Sequence, residues 1–155
     1  MIKKSILVLS LIFLLNTCAF AKDVPVKVET LLKISTSDVS LHEGDSITLN
    51  VANDIYVNSK LYIRKGAIAE GIVTSLVDNG FTCQEASIYA ENFRVKTVNG
   101  DMVKLKGIVY KKGRNHYMVT QFLPFGYVFI RGGEAQILPE EDSFILHMEE
   151  KNDDL

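Results

Sequence analysis

ASIYAENFRVKTVNGDMVKLKGIVY, residues 86–110, decides how the rest of this chain is read. Two strand-like arms, 86–98 and 102–110, flank Asn99-Gly100. Asn-Gly readily supplies the positive φ angles of a tight turn, so the arms are expected to fold back on each other as a hairpin. The first arm places Ile88, Phe93, Val95 and Val98 toward a core. Its run Ala90-Glu91-Asn92 breaks strict alternation, which predicts a bulge. In the second arm Val103, Leu105 and Gly107 share one face, and Lys104, Lys106 and Ile108 share the other.

Working outward toward the N-terminus, the same period of two recurs. Val24, Val26 and Val28 alternate with Pro25, Lys27 and Glu29 in a first strand expected to run to about Ile34, followed by a polar loop over 35–44. Ile47, Leu49 and Val51 alternate with Thr48 and Asn50 in a second strand, which Ala52-Asn53-Asp54 interrupts. Leu61 and Ile63 begin a short strand, Arg64-Lys65-Gly66 is a turn, and 67–76 is a strand carrying Ile68, Ile72 and Leu76. Gly71 within it marks a bulge or a point of close packing, and Asp78-Asn79-Gly80 stops it. Beyond the central hairpin, 111–115 (KKGRN) is a basic loop, followed by strands over 117–122, 127–130 and 144–148.

Short, regularly spaced strands with almost no helical period predict an all-β domain, a small barrel or a sandwich. Pro25, Pro124 and Pro139 fall where edges or loops are expected, so a missing N–H does no harm. An outer-membrane barrel is disfavoured, because lipid-spanning strands need about 9 to 11 residues and an apolar outer band.

The first 21 residues read differently. Lys3 and Lys4 precede an apolar run over 6–15 (ILVLSLIFLL), and Ala19-Phe20-Ala21 supplies a small-x-small cleavage pattern. The run is shorter than the roughly 20 apolar residues of a spanning helix, so a secretory signal cleaved after Ala21 is expected. An uncleaved anchor fits the short run less well. Lipid attachment at Cys18 is the other alternative, and Asn16 and Thr17 suit it poorly. The expected organisation is therefore a signal peptide at 1–21, a β domain at 22–148 and an acidic tail at 149–155, with a periplasmic or secreted location.

Cleavage removes two lysines and no acid, so a formal net charge of −2 becomes −4. Such a chain offers no broad basic surface for nucleic acid. It also loses Cys18, which leaves Cys83 without an intramolecular disulfide partner and favours an inert thiol over an interchain bond. Once mature, the domain is not expected to span a membrane.

The strand 26–37 (VKVETLLKISTS), the HEGD loop at 42–45, the stretch 49–75 with Ile63, Lys65, Gly66 and Gly71, and the NGDMVKLKG segment at 99–107 follow one another in a distinctive order. This order, carried from residue 26 to about 110 and again over 131–144, resembles small β domains of bacterial envelope proteins, and in particular is similar to the β-barrel domain of the scaffold subunit of type IV secretion and conjugation machines. The resemblance implies a barrel and a place in an envelope assembly with protein partners. It carries over no catalytic residue. The cytoplasmic segment, membrane anchor and long helical insert of such scaffolds have no counterpart, so pore formation is not implied.

No chemistry-bearing constellation competes with that reading. His42, His116 and His147 are far apart and lack metal-ligand spacing. Glu140-Glu141-Asp142 lacks the alternating ligands and central glycine of a calcium loop. No serine sits in a Gly-x-Ser-x-Gly turn or a supported Ser-x-x-Lys motif, and the glycines do not form a phosphate loop. No catalytic, cofactor or metal site is expected. Two stretches are candidate contact surfaces: a basic patch of Lys104, Lys106, Lys111, Lys112 and Arg114, and an aromatic segment with Phe122, Phe125, Tyr127 and Phe129. Each also has a plainer role, as strand lysines that block edge pairing and as core aromatics. The function expected is non-catalytic binding or assembly in a bacterial cell-envelope complex. The alternative is a small-ligand-binding or hydrolytic periplasmic protein with a site in the barrel, which a cleft joining His116, Glu70 or Asp101 to another polar group would favour.

Overall fold

The computed structural model describes residues 23–80, 83–114 and 130–149. Strands β1 (Asp23–Glu29), β3 (Ser46–Val51), β6 (Ile68–Val77), β7 (Ser87–Lys96), β8 (Met102–Lys106) and β11 (Ser143–Glu149) form one antiparallel sheet in the order β6-β3-β1-β11-β8-β7. Pairing of β7 back onto β6 closes it into a six-stranded barrel. β9 (Val109–Lys112) continues along β7 where β8 leaves off. Closure consumes the sheet edges that an open sheet this size would leave bare.

Period-two patterning produces this shape directly. Val26 and Val28 on β1, Leu49 and Val51 on β3, and Leu146 and Met148 on β11 all point inward and are essentially inaccessible, while their neighbours face solvent. Burying such aliphatic side chains contributes about 1.5 to 3 kcal/mol each, the main term opposing the entropy of ordering the chain. Two small ribbons close the barrel ends. β4 (Ile55–Val57) and β5 (Lys60–Ile63) lie between the end of β3 and the start of β6 and bury Ile55 and Ile63. β2 (Ile34–Ser35) and β10 (Gln136–Ile137) pair at the opposite end and bury Ile137.

The central hairpin forms, with a different turn from the one its Asn-Gly suggested. Only Gly100 takes a positive φ, +96°, and Asn99 does not. Thr97 donates its N–H to Asp101 O at 2.8 Å and accepts from Gly100 N–H at 3.1 Å. The loop is thus three residues, Val98-Asn99-Gly100, with glycine at its left-handed position. Val98 stands in this loop, so it is half-exposed and not a core residue as the alternation implied.

The predicted bulge is present. Asn92 sits at φ +58°, and the β6–β7 register slips between Glu70↔Arg94 and Ile72↔Glu91. One extra residue shifts the inward parity from Ile88 and Ala90 to Phe93 and Val95. The large ring of Phe93 then needs room. Gly71 provides it, because a Cβ there would lie 2.3 Å from the Phe93 ring. β6 accordingly turns Ala69, Gly71 and Val73 inward and sends Ile68 and Ile72 out.

Other boundaries differ from the sequence pattern for local reasons. β1 stops at Glu29, where the Thr30 hydroxyl bonds the Leu32 carbonyl and bends the chain, leaving Leu31 and Leu32 exposed before β2. β4 and β10 are too short to show a period. Lys111 and Lys112 belong to β9, so the basic loop begins only at Gly113. The second hairpin arm is two strands, broken at Gly107 and Ile108. The expected strands at 117–122 and 127–130 lie outside the described residues except for Ile130, which is not in a strand. No described helix is long and apolar enough to cross a membrane.

Candidate functional site

The residues that the barrel cannot take inward collect on the outer face of β6, β7 and β8. Alternation sends out Ile68, Glu70 and Ile72 from β6, Arg94 and Lys96 from β7, and Met102, Lys104 and Lys106 from β8. Strand register makes rows of them: Glu70 is opposite Arg94, Arg94 opposite Lys104, Lys96 opposite Met102, and Lys106 opposite His147 on β11.

The Arg94–Lys104 rung is the unusual feature. Like charges directly opposite each other destabilise a sheet, by up to about 1 kcal/mol. Among the described residues, Arg94, Lys96 and Lys104 make no ion pair, whereas Lys27, Lys111 and Lys112 do. Positive charge therefore predominates here, with Glu70 and Glu91 as the neighbouring acids.

Large aliphatics surround the rung: Ile68 is 56% exposed, Ile72 43%, Met102 58% and Ile108 54%. Two hollows flank it. The first, about 550 Å³, opens where the β7 ladder jumps from Phe93↔Leu105 to Ala90↔Val109 and leaves Glu91 and Asn92 without partners across the seam. Ile72, Ile108, Glu91, Arg94, Lys104 and Lys106 are among its lining residues. The second, about 510 Å³, lies toward the hairpin turn and is lined by Ile68, Val98, Met102, Arg64, Glu70 and Lys96.

The five residues of the sequence-predicted basic patch divide between two environments. Lys104 and Lys106 lie on this outer face. Lys111 instead reaches Asp142 and Lys112 reaches Glu85, while Arg114 follows β9 and exchanges backbone contact with Gly133. Asp142 also accepts from the Leu138 N–H at 2.9 Å. Burial works to raise this carboxyl, but the Lys111 ammonium and the Leu138 N–H outweigh it and hold Asp142 below its ordinary value. The hydrogen bond to Glu85 raises Lys112. These two lysines tie loops to the barrel, whereas Lys104 makes no ion pair among the described residues.

Phe122, Phe125, Tyr127 and Phe129 lie outside the described residues, as does His116. Of the polar groups expected to mark a cleft, Glu70 does meet Arg64 and Lys96 in the second hollow, while Asp101 closes the hairpin turn. His42 and His147 are apart, and the described residues contain no cluster of three His, Cys, Asp or Glu able to hold a metal ion. Arg94, Lys96, Ile68 and Ile72 are site residues that motif reading passed over. Once Phe93 and Val95 are inward, Arg94 and Lys96 must be outward.

No protein-family model, curated protein or solved structure matches this chain.

Proposed function

We propose that this chain is an exported, non-catalytic β-barrel domain that acts as a binding component of a bacterial cell-envelope complex, through the outer face of β6, β7 and β8. One observation carries the reading: the like-charged Arg94–Lys104 rung, whose side chains make no ion pair among the described residues, stands among exposed Ile68, Ile72, Met102 and Ile108. Exposed large apolar side chains interspersed with fixed charge are a composition that a protein-contact patch can have. The pattern of residues 1–21 supports export, and the likeness of residues 26 to about 110 and 131–144 to secretion-scaffold barrel domains supports an assembly role.

The small-ligand alternative has one observation in its favour, the meeting of Glu70, Arg64 and Lys96 in the second hollow. That places its polar groups outside the barrel, whose interior is filled by Phe93, Leu49, Val95 and their neighbours. A photo-crosslinking residue introduced into the full chain at Ile72 or Met102, in the native cells, tests the assembly reading. Protein adducts are expected from both positions and not from the exposed Val39 beyond β2. Absence of adducts at 72 and 102, or equal adducts at 39, overturns it.

A further inference from the structure

We infer that the partner segment is an extended acidic stretch of polypeptide with the pattern apolar-x-acid-x-apolar, laid along the β7–β8 seam. This rests on the assembly reading above and specifies the chemistry of its contact.

Strand register sets the spacing of the contact. Ile68 and Ile72 stand four residues apart on one strand, each in a different hollow, with Glu70 between them. At about 3.3 Å per residue, the apolar floors of the two hollows are about 13 Å apart. An extended partner presents side chains to one face at every second residue, so its positions i and i+4 span the same distance. Position i+2 then falls midway, at the level where Glu70, Arg94 and Lys104 are aligned.

Of the groups at that level, Arg94 and Lys104 flank the seam and Glu70 lies one strand to the side. A carboxylate over the seam therefore meets two cations. It would relieve the like-charge rung as it binds, and Lys96 and Arg64 at the second hollow add to the positive field. The apolar side chains at i and i+4 cover Ile72 with Ile108, and Ile68 with Met102. Arg94 and Val95 of β7 pair with both β6 and β8, so at the rung the segment packs on the sheet face and does not extend an edge.

The test uses the full chain and fluorescein-labelled peptides read by anisotropy. GSLSESLSG is expected to bind saturably. GSLSKSLSG, which reverses the central charge, and GSLESLSG, whose shortened spacing turns the two leucines to opposite faces, are expected to bind about tenfold more weakly or worse, the equivalent of 1.4 kcal/mol. Lys104→Glu and Ile72→Ser are each expected to weaken GSLSESLSG by a similar factor, with the thermal unfolding midpoint retained for Ile72→Ser and retained or raised for Lys104→Glu. Equal binding of the three peptides, or binding to phosphatidylglycerol vesicles with none to GSLSESLSG, overturns the inference. Face-specific adducts in cells together with peptide failure would sink this motif alone; loss of the adducts would sink the assembly reading as well.

Discussion

The inner and outer faces of β6, β7 and β8 are made from the same strands and solve opposite problems. Inward, the residues are sized to one another: Ala69, Gly71 and Val73 from β6 leave the space that Phe93 fills. Outward, the residues are larger and less constrained, with Ile68, Ile72 and Met102 among Arg94, Lys96 and Lys104. Hydrophobicity alone would have placed the isoleucines of β6 inside and its alanine and glycine outside. Volume decides against that, because the Phe93 ring already stands where a side chain at position 71 would lie. The contrast teaches that the inner face specifies the fold, and that what it rejects becomes available for binding.

The comparison can be broken most severely at Phe93. Phe93→Ala should leave a cavity on the bare Gly71 backbone and cost about 3 to 5 kcal/mol, measured by denaturant unfolding. A loss below 1 kcal/mol would mean that the inner face does not depend on this ring. Gly71→Val attacks the same contact from the other side. Its Cβ would enter the Phe93 ring, so a loss of about 1 to 3 kcal/mol is expected even though valine is the better strand former. Combined with Phe93→Ala, it should recover part of that loss, since the two changes compensate in volume.

Asp142→Asn tests a tie between loop and barrel that belongs to neither face. The carboxyl is mostly buried and charged, with Lys111 and the Leu138 N–H as partners. Its value is depressed in the folded chain, so its stabilisation is complete above the unfolded carboxylate value and fades as pH falls through the lower folded value. The substitution should cost about 1 to 2 kcal/mol near neutral pH, with the difference from the parent shrinking in acid. A difference that stays constant through the acid range would show that the charge of Asp142 does not matter.

The smallest stability effect is expected on the outer face, and its sign is the informative part. Lys104→Glu turns a like-charge rung into an opposite-charge one, so stability should rise by about 0.2 to 1 kcal/mol. Surface changes elsewhere on the barrel should stay within about 0.5 kcal/mol in either direction.

How far each feature was legible in the sequence follows from the same physics. The strands β1, β3, β6, β7, β8 and β11 could be read because each has one buried side and hence a period of two. The bulge could be read because Ala90-Glu91-Asn92 violates that period. The break at Gly107 and Ile108 could not, because Val103, Leu105 and Val109 keep one parity across it. Counting lysines by proximity in sequence grouped Lys104 with Lys112, although partners distant in sequence, Asp142 and Glu85, take up Lys111 and Lys112. The missing cations of the face, Arg94 and Lys96, sit on the facing strand. Only the cross-strand register brings them to Lys104.

If the outer face is retained for binding at some expense to stability, one paired measurement on Lys104→Glu will show it. Adduct yield from a photo-crosslinker at Ile108 and the denaturation midpoint of the same full-length variant are compared with those of the parent. The midpoint is expected to rise or hold while the adduct is lost. An undiminished adduct, or a midpoint that falls together with it, would contradict the claim.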